Sequence, residues 1–368
     1  MSADLTGGDL GLLRRLNTRT VLSVLRRSGS PMTLSQLSQA AALSRQTVDA
    51  ITAELCDSGW VAELAPEKAL GRPARRFRFR AERGHVLGID LGVHSNYLLL
   101  ADLDGATVGS RRLEVAPNLG KDERLHELRV AVAAFVEEFP VHLEVLCAGV
   151  PGIIHEGDVR LSVPIPEWSG LHLADAMRGW FDCPVFVEND ANCAAVAEHW
   201  RGAAKATGTF IHLISGYRSG AGLMLDGRLY RGRGGAAGEI GALSLVGWEG
   251  PEMAELQAAP DVEKLFADAA AGDVRALKTI DRFAMRLSQG AAAMVLTVNP
   301  DLLVIGGGMS LAGEQLLGPV RGHLARMCLD PPDVVVSTLG MEAVALGAVC
   351  LALEQVDALL FQAPAAGG

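Results

Sequence analysis

Three polar residues near the middle of the chain follow a short apolar run. Residues 184–187 are too few for a helix and predict a buried strand, while the alanine-rich segment from residue 191 onward predicts a helix. Glu188, Asn189 and Asp190 therefore stand at the carboxyl end of a strand, where open α/β sheets collect groups that bind ligands. A carboxylate beside an amide can bind several adjacent hydroxyl groups. The alternative is that Asn189 and Asp190 only cap the helix.

Length and composition indicate several domains, of which the first is basic. The 368 residues are enough for two or three domains, and a hydrophobic content of 49% is enough to bury their cores. The formal net charge of -10 is unevenly distributed, because residues 1–83 contain 13 Lys and Arg against 8 Asp and Glu. A basic head on an acidic body is typical of a nucleic-acid-binding domain joined to a second unit.

The cysteine spacing and the length of the apolar runs indicate in which cellular compartment the protein is expected. Six scattered cysteines show neither a CxxC pair nor zinc-type spacing, so we expect no disulfide framework and no metal site. The amino terminus lacks the pattern of a signal peptide, and no apolar run approaches the ~18 residues that a membrane span needs. We therefore expect a cytoplasmic protein with no membrane partner.

The first part of the chain predicts three helices. Residues 10–27 carry leucine and valine at helical spacing and end at a Ser-Gly-Ser-Pro turn. Thr33 and Gln36 form a capping-box pair that opens a second, short helix, and Ser44 can cap a third. Because a tight turn separates the second and third helices, the pattern predicts a helix-turn-helix.

A basic strand follows these helices and completes a predicted DNA-binding surface. Residues 71–80 read GRPARRFRFR, and the alternation of Phe77 and Phe79 with arginines indicates a strand with one buried and one basic face. Together with Trp60, this strand predicts a winged helix. The predicted DNA contacts are Thr33, Ser44, Arg45, Gln46, Thr47, Arg72 and Arg75. Those at the third helix can meet base edges in the major groove, and Arg72 at the wing tip suits a narrow minor groove. A three-helix protein-interaction domain with a solvated basic strand is the alternative.

From residue 84 onward the order of predicted elements repeats. In the first set, three strand-like runs are followed by an amphipathic helix, a further strand, and the strand and helix that meet at Asn189 and Asp190. In the second set, three strand-like runs are followed by two helices and one strand. The strand-like runs are residues 86–91, 97–101, 113–115, 143–150, 184–187, 209–215, 220–225, 228–230 and 302–305, and the longer helices are residues 121–139, 261–271 and 274–297. Two such βββαβα lobes facing each other across a cleft could bury one ligand between them.

Ordered motifs along the chain resemble the ROK family of bacterial sugar-responsive repressors and sugar kinases. They are GIDLG at 88–92, VPG at 150–152, VENDANCAAVAE at 187–198, GRLYRGRGGAAGEIGAL at 227–243, NPDLLVIGGG at 299–308 and ALGAVCLAL at 345–353. The resemblance implies an α/β protein in which an N-terminal winged helix-turn-helix, residues 1–83, precedes a two-lobed actin-like, sugar-kinase fold of the duplicated ribonuclease H-like type. The expected lobes are residues 84–197 and 198–368.

The same resemblance implies a set of ligand-binding residues. Asn189 and Asp190 would hold sugar hydroxyls, Glu239 would add another contact, and Glu255 aligns with a family glutamate that contacts the sugar. In a kinase of the family, Asp190 would be the base that deprotonates the attacking hydroxyl. The alternative is helix capping for the first two residues and solvated loop charge for the two glutamates.

Two loops depart from the pattern of the family's kinases. The DxGGT-like first phosphate loop reads DLGVH at 90–94, and the GTGIG-like second loop reads GYRSG at 216–220. Bulky residues in both loops would keep backbone amides away from a phosphate, although the arginine of the second could still attract one. We therefore predict no catalytic residue, no cofactor and no ATP-dependent reaction.

The family's structural zinc site is also altered. Ala242 stands where the family carries a histidine, and residues 244–259 contain no cysteine, so this segment offers none of the roughly four ligands that zinc needs. We expect packing through Trp248, Pro251 and Met253 to hold the loop instead.

Together these features predict a ligand-responsive transcriptional regulator, in its simplest form a repressor. Its predicted partners are double-stranded operator DNA, a monosaccharide or sugar-phosphate effector in the cleft, and further copies of the chain in a homodimer or tetramer. One alternative is an ATP-dependent sugar kinase with a fused DNA-binding head. Another is a degenerate regulator that binds no sugar.

Overall fold

The amino-terminal head folds around a core that three helices and a small sheet supply. The computed structural model describes residues 10–65, 74–116, 119–215, 219–248 and 262–361. The helices are α1 (Leu10–Ser28), α2 (Leu34–Ala41) and α3 (Arg45–Asp57), and the strands are β1 (Met32–Thr33), β2 (Val61–Leu64) and β3 (Arg76–Phe79). The sheet is antiparallel, in the order β1-β3-β2, and its strand β3 lies within the basic strand predicted at residues 71–80.

Apolar spacing in α3 and alternation in β3 build this core. Val48 and Ile51 of α3 are fully buried, as is Phe77 of β3, because residues three or four apart share one face of a helix and alternate residues share one face of a strand. Both predicted helix caps are confirmed: the Thr33 hydroxyl accepts the Gln36 N–H in a full capping box, and the Ser44 hydroxyl accepts the N–H of Thr47.

The body begins with a five-stranded mixed sheet. Its strands are β4 (His85–Leu91), β5 (Ser95–Asp102), β6 (Thr107–Glu114), β7 (Leu143–Val150) and β11 (Val185–Asn189), in the order β11-β7-β4-β5-β6. The helices α4 (Lys121–Val136), α5 (Leu173–Met177) and α6 (Asp190–Arg201) belong to the same part, as does a small sheet of β8 (Ile153–His155), β9 (Asp158–Leu161) and β10 (Leu171–His172). The sequence did not predict the small sheet, and β6 is longer than the predicted run at 113–115.

A second five-stranded sheet repeats this arrangement. Its strands are β12 (Phe210–Ser215), β13 (Ser219–Leu225), β14 (Arg228–Leu229), β15 (Leu302–Gly306) and β16 (Asp333–Val336), in the order β14-β13-β12-β15-β16. In each sheet the first three strands along the chain are each antiparallel to the next. The last two strands run parallel to the first strand and lie on its other side. The shared topology confirms the predicted duplication. The associated helices are α7 (Val262–Ala270), α8 (Val274–Val298), α9 (Glu314–Met327) and α10 (Ala343–Phe361).

Two helices pack against each other between the sheets and form the inner wall of the body. Helix α6 contacts β12 and β13 of the second sheet, and α10 packs against α6 and against β4 and β7 of the first. The two helices approach so closely that a Cβ added at Gly347 would lie 1.7 Å from the carbonyl oxygen of Cys193. Helix α10, although it belongs to the predicted second lobe of residues 198–368, therefore packs on the first sheet. It buries an apolar face of that sheet that residues of the first lobe leave uncovered.

None of the helices in the described part of the chain combines the length and the apolar character that crossing a bilayer requires.

Candidate functional site

Asn189 and Asp190 form the junction between β11 and α6. The Asn189 carboxamide oxygen accepts the N–H of Asn192 at 2.9 Å and so caps α6, which is the structural role that the sequence left open. Its Nδ2 donates to the carbonyl of Gly152 at 2.9 Å and to Asp190 Oδ1 at 3.1 Å. Capping thus fixes the amide, and the amide in turn orients the neighbouring carboxylate.

Glu188, one residue earlier, ties this junction to the second lobe. The Glu188 carboxylate is buried and accepts hydrogen bonds from the Asn189 N–H and from Asn192 Nδ2, each at 2.9 Å. Its other oxygen pairs with Arg231 Nε at 2.5 Å. Arg231 lies in the segment that leads to Glu239, so an ion pair between the lobes holds that segment beside Asp190. The sequence placed Glu188 at the strand end but gave no sign of its partner.

Three of the four predicted ligand residues line one small pocket of about 90 Å³. Asn189 and Asp190 come from the first lobe, and Glu239 comes from the second. Most of the other lining residues lack a polar side chain, and they are Pro151, Gly152, Ile153, Leu161, Val163, Pro164, Ile214, Ser219 and Gly220. The fourth predicted residue, Glu255, lies outside the described residues.

A larger pocket of about 340 Å³ adjoins the first and runs between the two sheets. Four residues line both pockets, namely Pro151, Pro164, Asp190 and Ile214. Beyond them the larger pocket is bounded by Asp90, Gly92, Val93, His94, Ser95, Arg112, Ala194, His212, Gly307, Gly308, Gly340, Met341, Ala343 and Val344. Asp190 therefore stands at the passage between the two spaces.

Two aspartates of this cleft hold their protons more strongly than exposed aspartates do. Burial, together with the charge of Asp190, raises the pKa of Asp90 to about 8, and burial raises the pKa of Asp190 to about 6. The folded protein keeps the Asp90 proton at pH values where the unfolded chain has lost it. Asp90 therefore makes the free energy of unfolding fall as pH rises from about 3.8 to about 8.

His212 is a cleft residue that the sequence analysis missed. It lies in β12, where Ile211 and Leu213 face the core of the second lobe and His212 and Ile214 face the cleft. The imidazole is fully buried, and burial lowers its pKa to about 4, so it is neutral at pH 7. A lone histidine in an otherwise apolar strand was the available signal.

The first of the two loops that the sequence predicts to be altered, residues 90–94, turns back on itself. The Gly92 N–H donates to the carbonyl of Ser95 at 3.1 Å, the His94 carbonyl accepts the Val115 N–H at 2.8 Å, and the Val93 carbonyl accepts from the Arg124 guanidinium. The Gly92 amide is therefore occupied rather than open to a phosphate. Residues 216–218 of the second loop lie outside the described residues.

The segment in which the sequence predicts an altered zinc site includes Trp248, which helps to hold its described part. This side chain is buried, its Nε1 donates to the carbonyl of Arg286 at 2.9 Å, and it lies against Gly290 of α8. The predicted packing residues Pro251 and Met253 lie beyond the described ranges. Across the described residues, no cluster of three or more His, Cys, Asp or Glu side chains is arranged to hold a metal ion.

The head presents its predicted contacts at the start of α3. Arg45 and Gln46 are exposed, while the Ser44 hydroxyl lies 2.8 Å from that of Thr47. Thr33 caps α2, the helix that precedes α3.

Arg75 is close to this surface but already has carboxylate partners. Its Nε and Nη2 each lie 2.7 Å from an oxygen of Glu63, and its Nη1 lies 3.4 Å from Asp49 of α3. A phosphate would have to compete with both carboxylates for this guanidinium. Arg72 lies in the segment 66–73, outside the described residues.

Known proteins resemble the chain over most of its length. A family model described as ROK family matches residues 86–255 and 252–355. A xylose repressor from Caldicellulosiruptor bescii is 25% identical over 398 residues, covering 96% of this chain and 99% of that protein. The fold is similar to that of a ROK family transcriptional regulator described as a homologue of the Escherichia coli MLC protein, with a TM-score of 0.74, 22% identity, and coverage of 95% of this chain and 98% of that one. It is also similar to a ROK family glucokinase from Streptomyces griseus in complex with glucose and AMPPNP, with a TM-score of 0.62, 23% identity, and coverage of 74% of this chain and 100% of that one.

Proposed function

Because the chain belongs to the ROK family, we propose that it is a sugar-responsive transcriptional repressor, whose head binds operator DNA and whose cleft binds a carbohydrate effector. Full-length similarity to a xylose repressor supports this function, since that similarity includes the head as well as the body. The similarity to the glucokinase, in contrast, covers 74% of the chain.

The observation that carries the proposal is the small pocket. An amide and two carboxylates, from Asn189, Asp190 and Glu239, converge on it from two lobes. Such groups accept hydrogen bonds from adjacent hydroxyls, and the apolar wall formed by residues such as Leu161 and Val163 suits the C–H face of a sugar ring. Because the pocket has walls from both lobes, a bound sugar would favour their closed arrangement.

Helix α10 offers a path from the cleft to the head. Its first residues, Ala343 and Val344, line the larger pocket, and Asp357 near its other end pairs with Arg26 of α1. A displacement imposed on α10 by lobe closure would therefore reach the head. The effector can change DNA affinity only to the extent that it binds one closure state better than the other.

In this proposal the body does not transfer phosphate. The Gly92 amide is bonded within its own turn, and Val93 and His94 replace the small residues that would let a phosphate approach. Asp190 then serves as a hydroxyl-binding group rather than as a catalytic base. The kinase alternative requires sugar-dependent consumption of ATP that Asp190→Asn abolishes.

The DNA-bound species would be a homodimer or tetramer with one head on each half of the operator. In this proposal residues 1–83 bind DNA, and residues 84–197 and 198–368 form the two lobes that bind the effector. The proposed DNA contacts remain Thr33, Ser44, Arg45, Gln46, Thr47, Arg72 and Arg75, and the proposed ligand contacts remain Asn189, Asp190, Glu239 and Glu255.

Thermal melting of the full chain against a panel of sugars, sugar phosphates and ATP tests the proposal. A ligand at 100 times its dissociation constant adds about 2.7 kcal/mol to the folded state, which raises the melting temperature by a few degrees. We expect one carbohydrate to raise it, to lower affinity for operator DNA, and to lose both effects in Asp190→Asn. The matched control is Asp226→Asn, an acid-to-amide change at an exposed turn outside both pockets. If no carbohydrate shifts the transition, the sugar-sensing function is wrong.

A further inference from the structure

The cleft is larger than the part of it that the sugar-binding residues occupy. Sites for small molecules usually have volumes of about 300 to 1,000 Å³. The pocket of Asn189, Asp190 and Glu239 has about 90 Å³, whereas the adjoining pocket has about 340 Å³. Because Asp190 lines both, a ligand whose hydroxyl bonds to Asp190 could extend from the small pocket into the large one.

His212 gives the larger pocket a polar group with unsatisfied hydrogen-bonding capacity. The imidazole lines the pocket and is fully buried, and neither ring nitrogen has a hydrogen-bond partner among the described residues. A neutral imidazole has one donor and one acceptor, and leaving both unpaired in the interior costs free energy. A ligand with hydroxyl groups could donate to one nitrogen and accept from the other, and so recover that cost.

The charges around His212 favour an uncharged ligand. Asp190, whose pKa of about 6 leaves it ionised at pH 7, lines the same pocket and would repel the oxygens of a phosphate. The guanidinium of Arg112, also in the lining, lies 3.2 Å from Glu114 and is thus partly neutralised. Much of the remaining lining is apolar, including Val344. Hydroxyl groups combined with apolar C–H faces are the chemistry of a sugar ring.

We propose that the effector is an uncharged disaccharide, with one ring between Asn189, Asp190 and Glu239, the glycosidic linkage beside Asp190, and the second ring against His212. This inference rests on the proposed sugar-sensing function and narrows it from the monosaccharide or sugar phosphate that the sequence predicts. The second ring would fill the space that Gly92, Val93 and His94 line.

Titration calorimetry on the full chain tests the inference. Glucose, xylose, mannose and galactose are compared first, followed by disaccharides in which each is linked to glucose through each available hydroxyl. We expect one disaccharide to bind at least tenfold more tightly than its parent monosaccharide. His212→Leu should remove that gain and leave monosaccharide affinity unchanged, and His212→Gln, which keeps a donor and an acceptor, should restore part of it.

His199→Leu is the matched control, because His199 of α6 packs against Phe210 of β12 and lines neither pocket. It should leave both affinities unchanged. A monosaccharide that binds, with no disaccharide binding more tightly, would overturn the disaccharide inference and leave the sensing function standing. An equal gain in His212→Leu, or displacement of the disaccharide by ATP through the larger pocket, would overturn it too. If no saccharide binds, both the inference and the proposed function fail.

Discussion

The head and the cleft present their functional side chains in opposite ways. In the head, Arg45 and Gln46 project into solvent from a helix whose other face is buried. In the cleft, Asn189 bonds to the backbone of two other residues and to Asp190, and Glu188 pairs across the lobes. The head therefore separates binding from folding, whereas the cleft uses the same atoms for both. Substitutions in the two regions should differ accordingly in what they change.

The largest expected effect is on the packing that supports the cleft. Gly347→Ala places a methyl group 1.7 Å from the Cys193 carbonyl oxygen, so α10 must move away from α6. We expect this change to lower the free energy of unfolding by about 3 kcal/mol and to weaken sugar binding as well, because α10 also lines the larger pocket.

Gly322→Ala in α9 is the matched control for this overpacking. An added Cβ there meets only the distant end of the Arg326 side chain, at 3.8 Å, and alanine favours a helix by about 0.5–1 kcal/mol. Denaturant unfolding should therefore show the control as stable as, or more stable than, the parent. If Gly347→Ala behaved like the control, the cleft would not depend on this helix contact.

The same contrast explains which features could be predicted from the sequence. Caps at Thr33 and Ser44, and the strand and helix around Asn189, are local, so spacing and residue type were enough to predict them. The ion pair of Glu188 with Arg231 joins residues 43 positions apart, and only the duplicated topology brings them together. The sequence analysis did not single out His212, because periodicity shows which residues share one face of a strand but not what that face packs against.

An intermediate effect is expected on DNA recognition. Arg45→Ala should weaken binding to operator DNA by about 1–3 kcal/mol and change binding to random DNA little, because base-edge contacts carry sequence discrimination. Arg75→Ala should weaken operator and random DNA by similar amounts, since a contact to phosphate carries no sequence information. Neither change should alter sugar affinity measured by calorimetry.

The partners of Arg75 make its variant the more informative of the two. Its guanidinium is shared with Glu63 and Asp49, so its loss also frees two carboxylates near the DNA. Binding measured by fluorescence anisotropy at several salt concentrations should show a shallower salt dependence for Arg75→Ala than for Arg45→Ala. Equal losses on operator and random DNA for both variants would contradict these separate roles.

The smallest expected effect is at the Ser44 cap, and it marks the limit of the contrast between head and cleft. Ser44→Ala removes the acceptor for the Thr47 N–H and should cost about 1 kcal/mol of stability, whereas Ser44→Gly should cost only a few tenths. Denaturant unfolding of both variants measures the cap, and operator binding by Ser44→Gly measures any further contact of the hydroxyl with DNA. Unchanged stability in Ser44→Ala would show that α3 is held by its buried face alone. If instead Ser44→Gly keeps its stability but loses operator affinity, the hydroxyl both caps α3 and contacts DNA, so this position of the head combines folding and binding as the cleft does.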